Sequence, residues 1–191
     1  MSPEEQLTEW KNELSLLLRN RHIEAATNLV AQAFELAGQT GIPVHRAAAL
    51  EMEALLQNIQ NNYPAALATC DKAMAIYKKH QHAAGQAQVL VLKAGVYYAK
   101  SEFRFSVSLC ERALTLAAGQ PLIEANAHKT LGIALAHTGQ HALGIQHLQK
   151  ALGLYTRQKN QIQKAATHLN LAIAHRYMAD YTKATEAGLK A

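Results

Sequence analysis

Small apolar residues return along this chain at a fixed interval: Ala33, Ala73, Ala113, Ala151 and Ala191 are separated by steps of 40, 40, 38 and 40 residues. Seven residues before each stands a second small residue, in the order Ala26, Ala66, Ser106, Gly144 and Ala184. Ten residues before each comes a bulky group: Ile23, Tyr63, Phe103, His141 and Tyr181, of which only His141 is strongly polar. Spacings of seven and ten residues are close to two and three helical turns, so the three phases fall on one helical face. Recurrence at such an interval marks an array of supersecondary units, each burying its apolar face against the next.

Punctuation on the same interval splits each unit into two helices. Polar or small pairs mark the turns at Asn20 to Arg21, Asn61 to Asn62, Ser101 to Glu102, Gly139 to Gln140 and Ala179 to Asp180. Pro43, Pro64 and Pro121 fall where a helix opens, and a first-turn proline sacrifices no hydrogen bond. Gly38 to Gly41 and Gly119 to Gln120 end the preceding helices. The predicted first helices are 3–19, 43–59, 83–99, 121–137 and 160–178, and the second helices 22–37, 63–79, 103–118, 141–157 and 181 onward.

Within this frame the fourth unit reads His128, Leu131, Gly132, Leu135, then Gly144, Leu148, Ala151, and the fifth reads His168, Leu171, Ala172, His175, then Ala184, Gly188, Ala191. The first supplies Trp10, Leu14 and Leu17, then Ala26, Val30 and Ala33. Ala54, Ala94 and Tyr97 keep the pattern in the second and third units, where Glu53 and Lys93 replace a leucine. This arrangement resembles the tetratricopeptide repeat family, in its longer variant of about 40 residues, as in bacterial regulators, rather than the usual repeat of about 34. The resemblance implies an all-α fold, a right-handed superhelical solenoid of antiparallel helix pairs with five units, the last truncated. The units are 3–40, 41–80, 81–119, 120–158 and 159–191, forming one repeat domain over 1–191. Because Ala191 falls in the middle of the expected final helix with no polar capping helix after it, the chain reads as the N-terminal part of a longer protein.

Composition narrows the function classes. With 49% hydrophobic and 17% charged residues and only four prolines in 191, the palette is that of an all-helical domain. The net charge of +5 is spread along the chain, the densest group being Lys78, Lys79 and His80, so no basic stripe with stacking aromatics argues for a nucleic-acid partner. No basic segment followed by an apolar run opens the chain, and no apolar stretch reaches the roughly 18 residues of a membrane span, which places the expectation in the cytoplasm without a membrane partner. Cys70 and Cys110 are one repeat apart, a spacing of about one helix packing distance that is too long for a disulfide.

Catalytic signatures are missing: the chain has no phosphate-binding glycine loop, cysteine pair at metal spacing or Gly-x-Ser-x-Gly elbow. The ten histidines do not assemble a ligand set by spacing, because Gly139 and Gln140 interrupt His137 and His141, while His168 and His175 sit at helix-packing positions. The expectation is a non-enzyme without catalytic residues, cofactor or metal. The family resemblance implies that the working surface is the concave face lined by first helices. The residues pointing there are Lys11, Ser15, Glu51, Leu55, Asn58, Gln88, Val91, Tyr98, Asn126, Lys129, Ile133, Arg176 and Tyr177. The carboxylate clamp of chaperone-docking members is incomplete, since Ser15 and Met52 replace its asparagines and Gln88 and Leu92 its later positions. An extended or helical partner segment is expected instead, anchored on Tyr98 and Tyr177 with Lys129 or Arg176 meeting acidic groups. The chain is thus expected to be a protein-binding scaffold serving as the regulatory module of a larger signalling or transcription-regulatory protein. The alternatives are a homodimerisation module controlling an attached effector, or a small-molecule sensor.

Overall fold

The ten helices of the computed structural model, which describes residues 1–191 throughout, form five successive pairs without a β-strand. The first members are α1 (Pro3–Arg19), α3 (Pro43–Ile59), α5 (Ala83–Ala99), α7 (Pro121–His137) and α9 (Gln161–Tyr177). The second members are α2 (Ile23–Thr40), α4 (Tyr63–Lys79), α6 (Phe103–Leu116), α8 (His141–Arg157) and α10 (Tyr181–Gly188). The bulky phase of the sequence pattern therefore marks the first residue of every second helix. Pro3, Pro43 and Pro121 each open a helix, and Pro64 lies in the first turn of α4. At the start of α1, Ser2 and Glu5 exchange side-chain and backbone hydrogen bonds in a capping box.

One turn geometry joins most of the helices. After seven of them a residue in the left-handed region closes the last turn, and the next residue, which stands immediately before the following helix, donates its N–H five positions back. Asn62 N–H reaches Gln57 O at 2.9 Å, Gln140 N–H reaches Leu135 O at 3.0 Å, and Asp180 N–H reaches His175 O at 3.0 Å. This is the Schellman arrangement, which satisfies carbonyls that a helix end otherwise leaves unpaired. Glycine meets its φ requirement without a Cβ penalty at Gly139 (φ 83°), whereas Arg21, Asn61, Gln81, Ser101, Lys159 and Ala179 adopt it at φ between 51° and 62°.

Three helix ends shift from the sequence expectation. Helix α2 runs on to Thr40 because Gly41, not Gly38, takes the left-handed conformation (φ 63°) and stops it. Helix α6 stops at Leu116, with Ala117 as its C-cap. Helix α10 ends at Gly188, and Ala191 stands exposed outside it in a closing turn, where the N–H groups of Lys190 and Ala191 bond to Ala187 O and Gly188 O. The other four alanines of the pattern, Ala33, Ala73, Ala113 and Ala151, are fully buried.

The chain gathers into two compact units, Met1–Val96 and Tyr97–Ala191. In the first, α1 lies on α2 and α3, and α3 on α4. Its core runs from Leu14, Leu18, Val30 and Met52 to a second cluster of Leu50, Cys70, Tyr77 and Val89, with Trp10 packed at the margin. In the second, α7 packs on α6, α8 and α9, and α9 on α10. Ile145, Leu148, Leu171 and Ala174 form its main core, with a smaller cluster of Ala125, Ala151 and Tyr155. Helices α7 and α8 cross at backbone contact: a Cβ on Gly132 would stand 2.8 Å from Gly144 O, and one on Gly144 would stand 2.7 Å from Gly132 O. No helix is long and apolar enough to cross a membrane.

Candidate functional site

Two positions of the repeat organise the polar groups of each unit: one on the first helix, and a tyrosine in the last turn of the second. In Met1–Val96 these are Glu51 and Tyr77. Glu51 is only 5% exposed, takes an ion pair from Lys11 Nζ at 2.7 Å, and accepts a second hydrogen bond from the Tyr77 hydroxyl at 2.5 Å. Burial, then the Glu51 charge, raise the Tyr77 pKa, so its hydroxyl serves as a proton donor throughout the physiological range. Gly85 of α5 faces the Tyr77 ring, where a Cβ would approach its carbons to 2.5 Å. Lys93, at a position the repeat pattern gives to leucine, escapes burial by reaching Asp71 at 2.7 Å.

In Tyr97–Ala191 the corresponding residues are Lys129 and Tyr155. Lys129 Nζ donates to Gln163 Oε1 at 2.6 Å and lies 6.0 Å from the centre of the Tyr155 ring, while the Tyr155 hydroxyl donates to Asn126 Oδ1 at 2.6 Å. No carboxylate is paired with this ammonium, and burial alone lowers its pKa from 10.5 to about 8. Burial also raises the Tyr155 pKa.

A second feature of this unit lies where first helices end and second helices begin. Tyr98 donates or accepts a hydrogen bond at 3.0 Å with His137 Nε2, and His137 stacks on Phe103 with ring centres 4.6 Å apart. Tyr177 approaches His137 edge-on at 6.0 Å and stacks on His141 at 5.4 Å. The five rings thus form one continuous cluster. Burial, then the Tyr177 phenol, raise the Tyr98 pKa. Beside Phe103, a cavity of about 350 Å³ is lined by Ser101, Glu102, Arg104, Phe105 and Thr138.

The structure distributes the expected surface residues unevenly. It joins Tyr98 to Tyr177 through His137, and Asn126 to Lys129 through Tyr155. Arg176 is exposed beside the exposed Tyr177, and Ile133 is half-buried against the core. Glu51 and Val91, expected on the open face, are buried instead. Glu51 turns inward because Lys11 and Tyr77 satisfy it there, and Val91 is only 8% exposed on a helix with little polar surface. Lys11 is occupied by Glu51, Ser15 is exposed and donates to the Lys11 carbonyl, and Leu55 packs on the core. Asn58 and Gln88 are half-buried, with Asn58 Oδ1 enclosed and unpaired. The residues missed were Tyr77, Tyr155 and Gln163, although the 78-residue spacing of the two tyrosines was visible. Phe103 and His141 were marked only as the bulky phase. Both cysteines are free and buried, and burial pushes each thiol up to about 12.

Comparison with known proteins agrees with this architecture. The tetratricopeptide repeat family model matches residues 123–191. A Rap protein complexed with competence and sporulation factor superposes with a TM-score of 0.81 at 16% identity, covering 100% of this chain and 55% of that one, so this chain spans about half its length. The nearly identical TPR-like repeats of a Podosopora anserina protein described as a kinesin light chain superpose with a TM-score of 0.62 at 16% identity, covering 100% and 94% of the two chains. YrrB, a TPR protein with an unusual peptide-binding site, gives 0.52 at 17% identity, with 100% and 90% coverage. No curated protein matches the sequence. Residues 123–191 match the tetratricopeptide repeat model, and the chain as a whole has the all-helical fold of TPR-like repeat proteins.

Proposed function

We propose that this chain is a non-catalytic scaffold that binds a segment of a partner protein on the first-helix face of Tyr97–Ala191, and that it serves as the regulatory module of a signalling or transcription-regulatory protein. The observation that carries this is Lys129. A half-buried ammonium with one neutral partner and no counter-charge is held at a cost in stability, and a carboxylate from a ligand would remove that cost. Asn126 and Gln163 stand beside it as further polar contacts, and the Tyr98 to Tyr177 cluster offers aromatic surface for apolar side chains. The Rap protein with its bound factor and the peptide-binding YrrB lend this reading support by fold likeness.

Selection of a displayed library of twelve-residue peptides on the full chain tests it. Enriched peptides should carry an acidic residue flanked by apolar ones. Their affinity should fall at least tenfold, about 1.4 kcal/mol, in the double variant Tyr98→Ala with Lys129→Gln. Absence of enrichment, or enriched peptides indifferent to the double variant, would remove the proposal. A second reading, self-association, is favoured by the large apolar side chains exposed around α9 and α10: Ile162, Leu169, Met178, Tyr181 and Leu189. Light scattering over a concentration series separates it, since only self-association makes the mass rise with concentration.

A further inference from the structure

We propose that His128 and His147 form a binding site for a divalent transition-metal ion of the nickel and copper kind. His128 is carried by α7 and His147 by α8, the two helices that cross at backbone contact through Gly132 and Gly144. That crossing fixes the two rings, whose centres are 5.1 Å apart and whose Nδ1 atoms face each other at 2.9 Å. For metal–nitrogen bonds of about 2.0–2.1 Å, two nitrogens at right angles around one ion stand about 2.9 Å apart. The pair is therefore spaced as adjacent ligands of a square-planar or octahedral ion, the geometry preferred by Ni²⁺ and Cu²⁺ with imidazole donors.

In the metal-free chain one of the two nitrogens must carry a proton and share it with the other. For both Nδ1 atoms to hold an ion, the ring carrying it changes tautomer, its proton leaving Nδ1 and another being taken up from water at Nε2, so the pair stays neutral. Burial, then the facing His147, lower the His128 pKa to about 4, and burial with Lys150 lowers that of His147 as well. No third His, Cys, Asp or Glu converges on the pair. The remaining positions belong to water and to the open cavity of about 700 Å³ that His128 lines with Glu124, Gln146, Gln149, Lys150 and Arg157. Glu124 precedes His128 by one helical turn on the same face of α7, and one of its oxygens accepts the Gly119 N–H at 3.1 Å, so its charge bears on the ion through water and not as a ligand. Lys150 and Arg157 are the charges opposing the ion on this wall, with Glu111 acting on His147 in the opposite sense.

Calorimetric titration of the full chain with NiCl2 at pH 7.5 tests the proposal. One site should weaken at least tenfold in the double variant His128→Gln with His147→Gln and persist in the control His80→Gln with His82→Gln. Equal affinity of the wild type and the first double variant, or loss in the control instead, would overturn it. If the double variant fails to fold by circular dichroism, the single variants decide: Lys150→Ala should tighten the site severalfold and Glu124→Gln weaken it. No change in either would overturn the proposal.

Discussion

The two compact units place different chemistry at the same points of one repeat. Seventy-eight residues after Glu51, Tyr77 and Gly85 stand Lys129, Tyr155 and Gln163, and in both units the tyrosine of a second helix leans over the charged residue of the first. In Met1–Val96 the charge is closed: the acid has a lysine and a phenol, and the glycine lets α5 lie against the ring. In Tyr97–Ala191 the charge is open: a lysine occupies the acid's place, and only an amide meets it. The difference teaches that a repeat supplies equivalent locations, while the residue at each decides whether a location holds the fold together or remains available to a ligand.

The largest test strikes the packing on which the closed side depends. Gly85→Ala drives a Cβ into a fully enclosed ring and should cost about 2–3 kcal/mol by denaturant titration, whereas Gln163→Ala at the equivalent point should cost less than about 1 kcal/mol. Equal costs would show that Gly85 does not close on the Tyr77 ring.

The charges come next. Glu51→Gln strands the Lys11 ammonium and should destabilise by about 2 kcal/mol, while Lys129→Met relieves a desolvated charge and should stabilise by about 1 kcal/mol at neutral pH. The pH dependence has a definite sign. Between about 8 and 10.5 the unfolded chain binds more protons at Lys129 than the folded one does, so this residue's contribution to folding stability rises with pH across that window, against the fall contributed by the buried thiols and phenols, and Lys129→Met removes the rising part. Unfolding curves of the wild type and Lys129→Met at a series of pH values would measure it as their difference, and a difference that does not change with pH would place Lys129 in water.

The smallest test concerns the turns, where the two units are alike. Ala179→Gly should add about 1 kcal/mol and Gly139→Ala remove about as much, because both positions are left-handed and only one lacks a Cβ. Thermal melts of the two variants shifting in the same direction would contradict the shared geometry.

Much of the fold was legible because helix pairing obeys periodicities of single residues. Pro43 and Pro121 located helix starts to the residue, and Ile23, Tyr63, Phe103, His141 and Tyr181 proved to be the openings of the second helices. The end of α2 was misplaced because Gly38 and Gly41 are indistinguishable by composition, and only backbone geometry selects which one turns left-handed. Of the residues expected on the open face, Tyr98, Tyr177, Asn126 and Lys129 were named from their place on first helices, and the structure draws them into two local clusters. Glu51 was misjudged because a carboxylate is assigned to solvent until its partners are known, and Lys11 and Tyr77 stand 40 and 26 residues away. The pairing of His128 with His147 was equally hidden, since 19 residues and a helix reversal separate them.

The amino-acid sequence by itself determined that helices form, where most of them start, and which small residues face a neighbour, because these follow from local turn chemistry and the helical period. Only the tertiary structure decided which charges close on one another and which stay open. A charge is accommodated by whatever lies within a few ångströms of it, and helix packing brings those groups together from distant parts of the chain.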